Sequence, residues 1–123
     1  MANPFVHIEL QTSDLARAKD FYSRLFDWKL EDIPAPGGEM PYTLINVGEG
    51  TGGGMSENPD PKMPPHWQAY VGVDDIEAST LKARDLGATV LQDVMEIAGY
   101  GWFSVIRDPT GAVIALWQPK MGA

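Results

Sequence analysis

His7-Ile-Glu-Leu-Gln-Thr-Ser-Asp-Leu15 is answered further along the chain by Gln68-Ala-Tyr-Val-Gly-Val-Asp-Asp-Ile76. Each stretch alternates side chains with period two, as a half-buried strand does, and has as its next-to-last residue an acid, Asp14 or Asp75, suited to cap a helix. An offset of 61 relates the two, and the same offset separates Asp14 from Asp75, Leu15 from Ile76, Leu25 from Leu86 and Gly50 from Gly111. Agreement at strand, cap, helix and hairpin together predicts a duplicated βαβββ unit.

Outward from the first stretch, Val6, Ile8 and Leu10 share one strand face and Phe5, His7 and Glu9 the other. A helix is expected after Ser13 and Asp14, with an apolar stripe of Leu15, Ala18, Phe21 or Tyr22, and Leu25. Pro34, Pro36, Gly37 and Gly38 mark a loop, and Tyr42 to Val47 turns through Gly48-Glu49-Gly50 into a strand over Thr51 to Met55. Asn58 to Pro65 holds four prolines and is a linker. Beyond it come a strand over Trp67 to Val73, a helix stopped by Gly87, and strands at Thr89 to Gln92, Trp102 to Ile106 and Ala112 to Gln118. Residues 1–123 are thus one domain, with module one over about 4–57, the linker over about 58–65 and module two over about 66–120.

Composition narrows the chemistry. Nine Lys and Arg stand against seventeen Asp and Glu, a formal charge of −8, and the cations form no run, which argues against nucleic acid as a partner. The absence of Cys excludes thiol catalysis, zinc-thiolate sites and iron–sulfur clusters. Apolar runs are too short to span a bilayer, and Met-Ala-Asn-Pro-Phe lacks a signal-peptide layout, so no membrane partner and a cytoplasmic location are expected.

The chain resembles the vicinal oxygen chelate superfamily of glyoxalases, bleomycin-resistance proteins and extradiol dioxygenases. The resemblance rests on His7 to Leu15 with Phe21-Tyr22, on Tyr70-Val-Gly-Val-Asp-Asp75, on Leu86-Gly-Ala88, and above all on Arg107-Asp-Pro-Thr-Gly-Ala112 leading to Ile114-Ala-Leu-Trp117. It implies an α+β fold of two tandem βαβββ modules whose cupped mixed sheets enclose a cavity, with helices on the outer face. It also implies a homodimer.

In metal-using relatives the first and last strand of each module each give one ligand. Here those positions are His7, Gly54, Gln68 and Ala115, of which only His7 is a strong ligand. No cofactor is therefore expected, with a divalent metal at a displaced His7, Glu9 and His66 set as the alternative. The ligand-lining residues are expected to be His7, Glu9, Tyr42, Gly54, Gln68, Tyr70, Trp102, Ala115 and Trp117. Trp67 falls by parity on the helix face, Tyr100 adds aromatic area, and Met40, Met55 and Met63 cluster around the loops. Gly52-Gly53-Gly54 has no following Gly-Lys-Ser/Thr, so it makes room instead of cradling phosphate. His7 beside Glu9 is the candidate general base.

The function expected is binding of a small, partly aromatic or apolar molecule in the inter-module cavity without the usual metal. Two alternatives remain: a glyoxalase-like lyase, isomerase or dioxygenase with an altered metal shell, and an antibiotic-binding resistance protein.

Overall fold

The computed structural model describes residues 3–33, 42–57, 62 and 64–120, so the loop after Ile33, most of the linker, Met40 and Met63 lie outside the described residues. Among the described residues, eight strands and two helices follow the βαβββ order twice: β1 (Phe5–Thr12), α1 (Leu15–Leu25), β2 (Lys29–Ile33), β3 (Tyr42–Asn46), β4 (Gly53–Glu57), β5 (His66–Gly72), α2 (Ile76–Asp85), β6 (Thr89–Ile97), β7 (Gly101–Arg107) and β8 (Val113–Pro119). Neither helix is long and apolar enough to cross a membrane.

The chain divides into two compact units, one of His7–Gln68 and one in which the segment up to Val6 joins the stretch from Ala69 onward. This differs from a boundary in the linker. The physical tie is Gly72, whose N–H donates to the Pro4 carbonyl at 2.8 Å and whose carbonyl accepts from Asn3 Nδ2 at 2.9 Å.

In the first unit β2 and β3 pair antiparallel, as do β3 and β4, and β4 runs parallel to β1. The second unit repeats this with β6, β7, β8 and β5. The 61-residue offset survives at the level of register: Glu9↔Gly54 matches Tyr70↔Ala115, and Thr43↔Met55 matches Ser104↔Leu116. It slips by one only at β6, where Thr89 opposes Arg107 while Lys29 opposes Asn46, and bulges follow in β6.

Both helices begin as the residues require. Asp14 Oδ1 accepts from Arg17 N at 3.0 Å and Asp75 Oδ1 from Ala78 N at 3.1 Å, satisfying N–H groups that have no partner within the helix. The inward stripe of α1 is Leu15, Ala18 and Tyr22, which meets Leu10, Ile45 and Met55. Phe21 and Leu25, expected on that stripe, are each 56% exposed, because the β2–β3–β4–β1 sheet covers only the turn side bearing Leu15 and Tyr22. Met55, expected near the loops, is fully buried at the centre of this core. Trp67 joins Tyr22 and Trp28 in an aromatic cluster, its ring edge-on to Tyr22 at 5.4 Å.

The second core is Val73, Ile76 and Leu116. Beneath α2, the buried Thr80 Oγ1 donates to the Ile76 carbonyl at 2.6 Å and lies 2.9 Å from the buried Ser104 Oγ.

Two carboxylates fix local geometry and are held below the ordinary aspartate range. Lys19 Nζ binds both Asp32 oxygens at 2.7 and 2.8 Å and Thr43 Oγ1 donates to Oδ1 at 2.7 Å, so Lys19 first and Thr43 second favour the ionised form. In the Asp-Pro-Thr-Gly turn, Asp108 Oδ1 accepts from Thr110 Oγ1, Thr110 N and Ala112 N, which lowers its pKa in that order of causes. Gly111 there has φ +103°, a conformation that side-chain-bearing residues disfavour.

Candidate functional site

Register assigns the faces of the first unit. Leu10, Met55 and Thr43 stand opposite one another on the helix side, so the next residues along each strand, Glu9, Gly54 and Leu44, share the other face. His7, Gln11 and Tyr42 lie two residues away on that same face.

On this face the Tyr42 side chain crosses β4 from β3 to β1. Its hydroxyl lies 2.8 Å from His7 Nε2 and donates to Glu9 Oε1 at 3.0 Å. His7 Nε2 and Glu9 Oε1 are themselves 3.7 Å apart, and Gln11 Nε2 donates to Glu9 Oε2 at 3.2 Å. A phenol has one proton, and here it goes to the carboxylate, so the same oxygen accepts from His7 Nε2–H. In this network His7 Nε2 is the donor to the phenol oxygen.

Gly54 makes the crossing possible. A Cβ at that position would stand 1.9 Å from the Tyr42 hydroxyl oxygen and 2.3 Å from Cζ. Its two neighbours serve different approaches: a Cβ on Gly53 would meet the Ile8 carbonyl oxygen at 1.8 Å, and one on Gly52 the Ile45 carbonyl oxygen at 2.7 Å. The triple glycine makes room as expected, but what enters is the protein's own backbone and the Tyr42 ring.

His7, Glu9, Tyr42 and Gly54 are therefore brought together. The remaining expected site residues lie strand by strand on β5, β7 and β8. Gln68, Tyr70 and Ala115 are buried, the last two opposite each other on β5 and β8, and Trp117 is half-buried on β8. Trp102 is a correction: it packs on the helix-side core of Val73, Ile76 and Leu116, with Lys120 Nζ 5.7 Å from its ring centroid. Strand parity is the reason, because Trp102 alternates with Phe103, and Phe103 is the residue opposite Trp117. Sequence reading also missed Gln11, because the first strand runs on to Thr12 instead of stopping at Leu10. Continuing the alternation by two residues would have found it.

Among the described residues no three His, Asp or Glu side chains converge, and His66 Nδ1 lies 2.9 Å from the Pro64 carbonyl. Of the four positions implied by the resemblance, Gly54 has no side chain, and its Cβ space is taken by a phenol. A separate apolar cavity of 220 Å³ opens in the same unit between Ile8, Ile45, Val47, Trp28 and Trp67, without touching His7.

The chain resembles proteins of stated kinds. It is 39% identical over 114 residues to CFP32 of Mycobacterium bovis, named for a glyoxylase, covering 90% of this chain and 44% of that protein. It is 28% identical over 123 residues to the anthracycline biosynthesis protein DnrV of Streptomyces peucetius, covering 89% and 45%. The chain thus spans less than half the length of these curated relatives. Among solved structures, a hypothetical protein of Bacillus halodurans superposes with a TM-score of 0.76 at 17% identity over 100% and 99% of the two chains. Methylmalonyl-CoA epimerase of Mycobacterium tuberculosis does so with 0.72 at 18% over 94% and 87%. The glyoxalase/bleomycin resistance protein/dioxygenase superfamily matches residues 5–116, and the chain belongs to that family.

Proposed function

We propose that the chain binds a small organic molecule, flat or largely apolar with a few polar atoms, against the His7–Tyr42–Glu9 face, and that it does so without a divalent ion. The observation that carries this reading is the Tyr42 hydroxyl between His7 Nε2 and Glu9 Oε1. It offers an imidazole, a phenol and a carboxylate in one hydrogen-bonded chain, able to meet a ligand carbonyl or hydroxyl, while Leu44 on the same face supplies apolar contact. The name of the Streptomyces relative makes an anthracycline the first probe.

The test is calorimetric titration of an anthracycline and of a panel of aromatic carbonyl compounds, with and without EDTA. Expected is saturable binding unchanged by EDTA and weakened about tenfold in His7→Ala, the loss of one hydrogen bond to a polar ligand atom. Binding that requires a stoichiometric divalent ion, or that ignores both His7→Ala and Tyr42→Phe, would overturn the reading.

The glyoxylase name of the mycobacterial relative favours a second reading, turnover with His7 as proton carrier. Product formation lost in His7→Ala would distinguish it from binding alone.

A further inference from the structure

The 220 Å³ cavity lies on the side of the first unit's sheet away from His7. Ile8, Gly53 and Ile45 stand opposite one another on β1, β4 and β3, two residues from Leu10, Met55 and Thr43, so this row shares the helix side with them. The cavity opens over that row and is lined further by Val47, Trp28 and Trp67. Every residue that lines it belongs to the compact unit His7–Gln68.

Repetition shows where the room comes from. At the 61-residue offset Gly53 becomes Ile114, and Ile114 pairs with Ile106 as Gly53 pairs with Ile45. The second unit therefore carries a branched side chain where the first leaves bare backbone. Two indoles supply walls. Trp28 and Trp67 stand 75° to each other with centroids 6.1 Å apart, so two flat apolar surfaces form a corner. Both rings are braced: Trp67 Nε1 donates to the Tyr22 hydroxyl at 3.3 Å, and Trp28 lies 4.7 Å from the Phe26 ring and 5.7 Å from that of Tyr22.

We propose that this cavity takes up one neutral aromatic molecule of one or two rings, at a site separate from the His7 face. Size sets the upper bound: an apolar cavity of about 150 Å³ holds benzene, and 220 Å³ leaves room for a second ring. Charge sets the class. Among the described residues no ionisable side chain lines the cavity, so a carboxylate or ammonium entering it would lose its water without compensation. Water against Ile8, Ile45 and Val47 finds few hydrogen-bond partners, and an apolar ring that displaces it gains by doing so.

The experiment titrates the 15N-labelled chain with toluene and with naphthalene and follows the indole N–H signals of its four tryptophans. Expected is movement of the Trp28 and Trp67 signals to saturation, with a dissociation constant of about 0.1–1 mM, while those of Trp102 and Trp117 stay in place. Ionised 2-naphthoate should bind at least about tenfold more weakly than naphthalene. Filling the space by Ile8→Phe or by Val47→Phe should weaken toluene at least about tenfold, with circular dichroism checking that each variant folds. If either variant fails to fold, the pattern of shifts in the natural chain still decides. Shifts that do not saturate, equal shifts at Trp102 and Trp117, naphthoate binding as tight as that of naphthalene, or unchanged affinity in a folded filling variant would each overturn the proposal.

Discussion

Gly54→Ala is the sharpest test of the site's construction. The added methyl would stand 1.9 Å from the Tyr42 hydroxyl oxygen, 2.3 Å from Cζ and 2.7 Å from Cε2, distances at which one of the two must move. The far end of a tyrosine yields more easily than a strand held on both sides, so the phenol leaves, and with it the bonds to His7 Nε2 and Glu9 Oε1. A neutral hydrogen bond contributes about 1 kcal/mol and one to a charged group about 1.5–3 kcal/mol. His7 and Glu9 keep 29% and 14% side-chain exposure, so water recovers part of the loss and the net is about 2 kcal/mol. For a domain of this size that corresponds to a fall in Tm of about 5–10 °C. Chemical denaturation of a double-mutant cycle reads it directly: once Tyr42→Ala has removed the ring, Gly54→Ala should cost less than about 0.5 kcal/mol or even stabilise, through a stiffer unfolded chain. Gly53→Ala is the control, since its methyl would meet the Ile8 backbone oxygen at 1.8 Å and Tyr42→Ala should not relieve it. Equal cost of Gly54→Ala in both backgrounds would refute the crossing of β4 by Tyr42.

Acid stability should depend on Lys19. Asp32 is held below its usual value of 3.8, chiefly by Lys19, so ionised Asp32 stabilises the fold above the unfolded-state pKa, and that contribution disappears as pH falls through the lower folded-state pKa. Lys19→Met should therefore be slightly less stable at pH 7, the pair being solvent-exposed, with the two stability curves converging as pH drops below about 4 in an equilibrium denaturation series; parallel curves would contradict this. Beneath α2, Thr80→Val strands the buried Ser104 hydroxyl and should cost about 1–3 kcal/mol by urea denaturation, whereas Thr80→Val/Ser104→Ala should be closer to the natural protein than Thr80→Val alone.

The architecture was legible because repetition tests itself. Asp14 with Asp75, and Gly50 with Gly111, mark the same cap and turn twice, and structure repeats even the strand register between them. Face assignment on β1 was legible for the same reason that strands alternate, and it placed His7 and Glu9 together. Reading failed where the answer depended on pairing across three strands. Nothing local in Tyr42 tells that it sits diagonal to a glycine on the next strand, and nothing in Met55 separates a core residue from a loop one without the register that sets it opposite Leu10 and Thr43. The face of Trp102 follows from the register that sets Phe103 opposite Trp117 and Ser104 opposite Leu116, which no local feature of the tryptophan reveals. The turn acid Asp108 was seen only as part of a Pro and Gly signal, although its carboxylate holds three donors of the turn.

The 61-residue offset also lets the two modules be compared at the positions of the His7–Tyr42–Glu9 network. At the 61-residue offset, His7, Glu9, Tyr42 and Gly54 become Gln68, Tyr70, Phe103 and Ala115. Phe103 has no hydroxyl to bridge, and the Ala115 methyl, fully buried, fills the space that Gly54 leaves for a ring over the sheet. Replacing the phenylalanine by tyrosine alone would not rebuild the hydrogen-bonded network, because the ring has no path across β8. A bare Gly54 and a hydroxyl on Tyr42 act as one unit: the first leaves room for the ring, and the second makes the bonds to His7 and Glu9.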